Sequence, residues 1–142
     1  MAYSIAKAQV MVGGIEDRPG GLAEKLALLA EAGANLEFVL ARRDVPGKGL
    51  LFVAPVEGAK QSKAAKQAGL LKSDSLQALR IEGPDKAGLG AKMTKALAEA
   101  GINLRGLSAM AINRRTVFYA AFDNKSDVAK GQRILAKALG GK

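Results

Sequence analysis

The chain has 142 residues, of which 49% are hydrophobic and 25% charged, and its formal net charge at pH 7 is +9. This length suits one ordinary domain or two small ones that share a core, and the composition is typical of a globular protein. The sequence contains no histidine, cysteine or tryptophan, which excludes the usual general base at neutral pH, the usual zinc ligands and a thiol nucleophile; we therefore expect no catalytic residues, no metal and no cofactor.

The first half of the chain predicts the order strand, helix, strand, strand, helix. A strand is expected at Lys7–Gly13, followed by a loop and a helix in which leucines recur at helical spacing over residues 22–29. Gly33 stands where helices commonly end in a left-handed residue. A second strand is predicted to begin at Asn35, and the turn Asp44–Gly49 closes a hairpin before the third strand and a lysine-rich helix.

The second half repeats the first at an offset of 68 residues, so that LAEAG at Leu29–Gly33 recurs at Leu97–Gly101. A repeat at a fixed period indicates a duplicated structural unit. The corresponding elements are a strand at Leu76–Gly83, a helix, and a second strand that begins at Asn103. Gly106 takes the place of an expected core residue and predicts a bulge or a close backbone approach.

Each copy thus lacks one strand of the ferredoxin-like βαββαβ unit. We predict that Leu70–Asp74 completes the first copy and Ala2–Ala6 completes the second. The predicted fold class is α+β: two ferredoxin-like modules in tandem, each an antiparallel sheet with helices on one face, intertwined by shared long strands. The module boundaries are expected at residues 1–72 and 73–142, with the last strand of the second module supplied by residues 2–6.

The residues Asp17-Arg18-Pro19-Gly20-Gly21-Leu22 followed by Gly33-Ala34-Asn35-Leu36 resemble an ACT domain, and the second copy, Asp85-Lys86-Ala87-Gly88-Leu89 with Gly101-Ile102-Asn103-Leu104, resembles the same family. The resemblance implies small-molecule regulatory modules that usually bind amino acids, pair through their sheets and hold the ligand between modules, near the loop after the first strand. The ligand-binding residues it implies are Asp17, Arg18, Pro19, Gly20, Gly21, Leu22 and Asn35 in the first copy, and Asp85, Lys86, Gly88, Leu89, Gly90 and Asn103 in the second.

Physical chemistry gives an independent reason to favour the loop of the first copy. A helix N-terminus leaves amide groups without partners and carries partial positive charge, which suits a carboxylate. Gly20 and Gly21 would let the carboxylate approach, and Pro19 would set the entry into the helix. Asn35 offers a donor and an acceptor, and Asp17 would pair with an amino group or cap the loop's own amides.

The second copy departs from this pattern, with Ala87 where proline is typical and with Leu89-Gly90 in place of Gly21-Leu22. The first copy is therefore the preferred site. Plain turn chemistry, with no ligand, is the alternative explanation for both loops, because turns use the same residue types without any function.

Two rival functions stay open. A nucleic-acid-binding protein is suggested by the net charge, but the cations recur at helical spacing as solvated faces (Lys60, Lys63, Lys66 and Lys130, Arg133, Lys137), and the third strand has Leu50 and Pro55 where RNA-recognition domains carry aromatics. A protein-interaction module without a ligand is the other rival function, because its core would have the same sequence pattern as the core of a ligand-binding sensor.

The expected partners are a small-molecule ligand, namely an amino acid, a second copy of the chain in a homodimer, and a regulated enzyme or other protein. Nucleic acid is disfavoured. The sequence has no apolar run long enough for a membrane span and no signal-peptide pattern at its N-terminus, so we expect a cytoplasmic protein.

Overall fold

The computed structural model describes residues 2–140, together with the side chains of all of these except residues 73–76. Ten elements follow one another along the chain: β1 (Ser4–Glu16), α1 (Gly21–Glu31), β2 (Phe38–Val45), β3 (Lys48–Ala54), α2 (Gly58–Gln67), β4 (Leu71–Pro84), α3 (Leu89–Glu99), β5 (Leu104–Ile112), β6 (Arg115–Phe122) and α4 (Lys125–Gly140). The predicted α+β class and the repeated order of elements are confirmed.

The chain forms two compact units, of which one is a single continuous segment and the other consists of two segments. One unit is residues 9–73, and the described part of the other is residues 2–8 together with 74–140. Both long strands, β1 and β4, are therefore divided between the units, which confirms the prediction of shared long strands. The expected boundary between residues 72 and 73 stays a prediction.

In the unit of residues 9–73, β3 lies between β1 and β2 and pairs antiparallel with both. Met11 and Val39 stand on either side of Val53 in this ladder. On this face Met11 and Val53 pack with α1 and α2, whereas Val39 on the outer strand is exposed. Their buried cluster is Met11, Leu51, Val53, Leu29, Ala64, Ala65, Ala68 and Leu70.

In the other unit, β6 lies between β4 and β5, again antiparallel to both. The start of β1 packs beside β4, where the hydroxyl of Tyr3 donates a hydrogen bond of 2.7 Å to the carbonyl oxygen of Pro84. The core on the helix-bearing face joins strand residues to α3 and α4, and includes Leu79, Ile81, Phe118, Phe122, Met93, Leu97, Val128 and Leu135.

Several predicted boundaries were wrong, each for a local reason. The first strands end later than predicted, at Glu16 and Pro84, because their last residues still pair with β3 and β6. Neither asparagine begins a strand: β2 starts at Phe38 and β5 at Leu104. The hairpin turn is shorter than predicted, since only residues 46 and 47 separate β2 from β3.

The predicted helix ends and the bulge are confirmed. Gly33 and Gly101 have φ angles of 83° and 74°, in the left-handed region that favours glycine. The amide of Ala34 bonds to the carbonyl oxygen of Leu29 at 3.0 Å, the pattern of a Schellman cap. The register of β5 shifts between Leu104 and Gly106, which places the bulge where the sequence predicted it.

Within residues 2–140, the structure contains no helix with the length and apolar character needed to cross a bilayer.

Candidate functional site

The loop between β1 and α1 enters the helix through a left-handed glycine. Gly20 is the N-cap residue, with φ of 87°, and Gly21 is the first helical residue. The amide of Gly21 bonds to the carbonyl oxygen of Arg18, and the first helical bond runs from Glu24 to Gly20. No side chain caps this helix among the described residues. The amides of the second and third helical residues, Leu22 and Ala23, therefore have no protein acceptor in the described chain.

The roles predicted for Pro19 and Gly21 need correction. Pro19 lies before the N-cap and is not the first helical residue, so it does not set the helix entry; the left-handed Gly20 does. Gly21 is buried, and a Cβ there would lie 2.2 Å from the carbonyl oxygen of Glu16. Its lack of a side chain is required for packing against the end of β1.

Arg18 is bound by two carboxylates of the same loop region. Its Nη2 donates hydrogen bonds of 2.8 Å to both oxygens of Glu24, and its Nε pairs with Glu16. These contacts raise the pKa of Arg18 above its ordinary value, and the hydrogen bond from Arg18 holds the pKa of Glu16 below its usual range. Arg18 thus fastens the end of β1 to the first turn of α1.

Asp17 neither caps the loop nor is left open for an amino group. Its carboxylate pairs with Arg43 on β2, and the contact raises the pKa of Arg43. The backbone amide of Asp17 bonds to the carbonyl oxygen of Gly47 in the hairpin turn at 3.2 Å. The loop is therefore held to the β2–β3 hairpin by both main chain and side chain.

A cavity of about 460 Å³ lies beside this loop, within the unit of residues 9–73. Small-molecule pockets typically measure about 300–1,000 Å³, so its size is adequate for a metabolite. Its lining includes three acids and three bases: Glu16, Glu24, Asp44, Arg18, Lys25 and Lys48. Four glycines also line it, Gly14, Gly21, Gly47 and Gly49, and the apolar side chains are Ile15 and Leu50.

A smaller cleft of about 210 Å³ borders the same loop on the side of β2. Three of the predicted site residues line it, Asp17, Arg18 and Leu22, together with Arg42 and Arg43. Because Asp17 and Arg43 already bind each other, the cleft offers fewer open charges than the larger cavity.

The corresponding loop of the other unit repeats the backbone design. The amide of Asp85 bonds to the carbonyl oxygen of Arg114 in the β5–β6 turn at 2.9 Å, and Gly88 caps α3 with φ of 83°. Lys86 is exposed, whereas Leu89 is buried in the core and Gly90 lies against the ring of Phe118. Leu89 and Gly90 thus serve packing.

The two asparagines lie in the loops that precede β2 and β5. The side chains of Asn35 and Asn103 are exposed. Asn35 is not among the residues that line either cavity described above. Its predicted contact with a ligand stays a prediction.

Sequence reasoning missed four charged residues of the larger cavity: Glu24, Lys25, Asp44 and Lys48. The first two lie on the first turns of α1 and the others beside the hairpin turn. The turn segment Asp44–Gly49 was recognised only as a turn. Its charged residues, Asp44 and Lys48, are the available signal, because a hairpin that carries both signs and faces a helix N-terminus places them at one site.

No protein-family model and no curated protein matches the sequence. Among solved structures, similar folds include protein BT0572 from Bacteroides thetaiotaomicron, with a TM-score of 0.73 and 19% identity over 94% of this chain and 90% of that one. The ligand-free regulatory subunit of aspartate kinase from Thermus thermophilus has a TM-score of 0.66 and 18% identity, with 97% of both chains covered.

The aspartate kinase of Clostridium acetobutylicum, an allosteric enzyme, aligns at a TM-score of 0.61 and 16% identity over 95% of this chain but 34% of that one. The chain therefore shares the fold of the regulatory subunit of aspartate kinase from T. thermophilus. At these identities the similarity establishes the fold alone, and it confirms the resemblance noted in the sequence at that level.

Proposed function

We propose that this protein is a regulatory module that binds an amino acid beside the β1–α1 loop of the unit formed by residues 9–73. One observation carries the proposal: the amides of Leu22 and Ala23 lack acceptors among the described residues, and Gly21 and Glu24, on either side of them, line the 460 Å³ cavity. Helix N-termini of this kind bind carboxylates.

The charges of the cavity match the other end of an amino acid. An α-amino acid carries a carboxylate and an ammonium group a few ångströms apart, so its site needs both signs within a small volume. The lining supplies three carboxylates and three cationic side chains. Asp44 forms no ion pair with the described residues, which leaves its carboxylate available for the ammonium group.

The similar structures support the regulatory part of the proposal. The regulatory subunit from T. thermophilus is matched over 97% of its length, so the resemblance extends over a whole regulatory chain. By analogy we propose that this protein has no catalytic activity of its own, forms a homo-oligomer, and transmits ligand binding to a partner enzyme. Such transmission requires that the ligand bind two conformational or assembly states with different affinity.

A protein-interaction role without a ligand is the second candidate, and one observation favours it. Strand β5 pairs only with β6 among the described strands, and its Met110 and Ile112 are each 69% exposed. Exposed apolar edge strands are typical sites of strand pairing between chains. Nucleic-acid binding has less support, because Phe118 and Tyr119 on the adjacent strand are buried and cannot stack on bases.

The proposal is tested by thermal denaturation in the presence of each of the twenty amino acids. A ligand at 100 times its Kd stabilises the folded state by about 2.7 kcal/mol, which shifts the melting midpoint by several degrees. We expect at least one amino acid to produce such a shift, and Asp44→Asn to abolish it. The matched control is Asp123→Asn, an exposed acid of the other unit, which should keep the shift.

If none of the twenty amino acids raises the midpoint, the amino-acid proposal is wrong and the interaction role becomes the better explanation. If Asp44→Asn and Asp123→Asn respond to the ligand as the wild type does, the protein binds amino acids at a different place.

A further inference from the structure

The charged side chains of the 460 Å³ cavity divide into two groups. Glu16 and Glu24 both bind Arg18, which leaves this group with one negative charge in excess. Asp44, Lys25 and Lys48 form no ion pair with any residue that the structure describes. The second group therefore presents two cations and one anion to whatever enters the cavity.

The geometry explains why Lys48 has no partner. Lys48 stands directly opposite Glu16 in the β1–β3 ladder, where an oppositely charged pair would ordinarily form. The carboxylate of Glu16 is instead bound by Arg18, which is in turn held by Glu24. Arg18 thus leaves the ammonium group of Lys48 without a carboxylate.

Lys25 reaches the cavity from α1. Its Nζ atom lies 3.9 Å from the position that a Cβ on Gly69 would occupy, and Gly69 carries no charge. The charge of Lys25 acts on Glu16, whose pKa it lowers, and so offsets the excess negative charge of the group formed by Glu16, Arg18 and Glu24.

We propose that the cavity binds an acidic α-amino acid, aspartate or glutamate; this inference rests on the amino-acid function proposed above. Two carboxylates and one ammonium group complement the open helix amides, Lys48 and Asp44. The α-carboxylate takes the amides, the side-chain carboxylate takes Lys48, and the ammonium group takes Asp44.

Other amino acids complement this group less well. A neutral amino acid leaves Lys48 without a counter-charge. Lysine or arginine as ligand would bring a further cation toward Lys25 and Lys48, and like charges at short range repel. Succinate supplies both carboxylates but leaves Asp44 without a partner.

The test is isothermal titration calorimetry of the full chain with L-aspartate, L-glutamate and their amides, L-asparagine and L-glutamine. We expect aspartate or glutamate to bind at least tenfold more tightly than the corresponding amide. Lys48→Met should lower that preference at least tenfold, and Lys48→Arg, which keeps the positive charge, should retain it. Lys60→Met, an exposed lysine on α2, is the matched control and should leave the affinity unchanged.

Equal affinity for the acids and their amides, or tighter binding of a neutral or basic amino acid, would overturn the acidic preference while the amino-acid function stood. Absence of binding by all twenty amino acids would overturn both. A preference for acidic ligands that survives Lys48→Met would show that another cation creates it, and would refute the assignment to Lys48.

Discussion

The ring of Tyr3 lies against the backbone of Gly83, and its hydroxyl bonds to the next carbonyl oxygen, that of Pro84, at 2.7 Å. A Cβ on Gly83 would stand 2.2 Å from Cδ1 of this ring. Tyr3 is buried, and it forms part of the core that α3 and α4 cover. The glycine and the aromatic ring therefore act as one packing unit, which fixes the start of β1 beside the end of β4.

The first prediction concerns this pair. Gly83→Ala should lower the free energy of unfolding by about 1–3 kcal/mol, because overpacking a filled core forces side chains and backbone to shift. Chemical denaturation measures the loss. In a Tyr3→Ala background the same Gly83→Ala change should cost much less, since the ring is gone; an equal cost in both backgrounds would contradict the contact.

The second prediction concerns Gly21, which was expected to admit a ligand and instead packs against β1. Gly21→Ala should destabilise the protein by about 1–3 kcal/mol without any ligand, since its Cβ would meet a backbone oxygen that cannot turn aside. Gly14→Ala is the control, because a Cβ there meets nothing nearer than 3.9 Å. Equal melting midpoints for the two variants would show that Gly21 has no packing role.

The third prediction concerns the start of α4. The side-chain oxygen of Asn124 accepts a hydrogen bond of 2.8 Å from the amide of Asp127, which makes Asn124 the N-cap. Asn124→Ala should cost about 1 kcal/mol of stability, whereas Asn124→Asp should retain most of it, since aspartate caps equally well. Thermal melts of the two variants decide this, and similar losses in both would argue against a capping role.

The fourth prediction concerns acid stability. The hydrogen bond from Arg80 holds the pKa of Glu82 below its usual range, with a smaller contribution from Arg115. A carboxyl group whose pKa is lower in the folded state adds stability above its unfolded pKa, and that stability is lost as the pH falls through the folded pKa. The wild type should therefore exceed Glu82→Gln in stability at pH 7.

This advantage should shrink as the pH falls below about 4.3, the ordinary pKa of a glutamate, and disappear below the lowered pKa. Urea denaturation between pH 7 and pH 2 measures it. Glu31→Gln, an exposed acid with no described ion pair, is the control. A difference between wild type and Glu82→Gln that stayed constant with pH would show that charge is not its cause.

The order of elements could be predicted from the sequence because the repeat contains each signal twice. Gly33 and Gly101 indicate the two helix ends, because a left-handed C-terminal residue favours glycine. Gly106 indicates the bulge. The candidate loop was predicted for the same reason. The ion pairs of this loop were not predicted. Asp17 binds Arg43 and Arg18 leaves Lys48 unpaired because of the strand register, which decides which side chains are neighbours.

The glycines show the same limit of sequence-based prediction. A glycine in the sequence indicates that a side chain is excluded, but not whether a turn, a ligand or a neighbouring backbone excludes it. Gly20 and Gly21 are adjacent, yet the first is needed for a left-handed φ angle and the second for contact with Glu16. The three-dimensional structure distinguishes these two causes.

The division of β1 between the two units has a consequence for synthesis. A ribosome makes residues 2–8 before residues 9–73, yet the unit that those first residues complete is finished only when residues 74–140 have been made. During translation the segment that holds Tyr3 and the start of β1 therefore stays uncovered while the other unit becomes available to fold. A nascent chain stalled after residue 73 should expose this segment to proteases and chaperones, and release of the full chain should protect it.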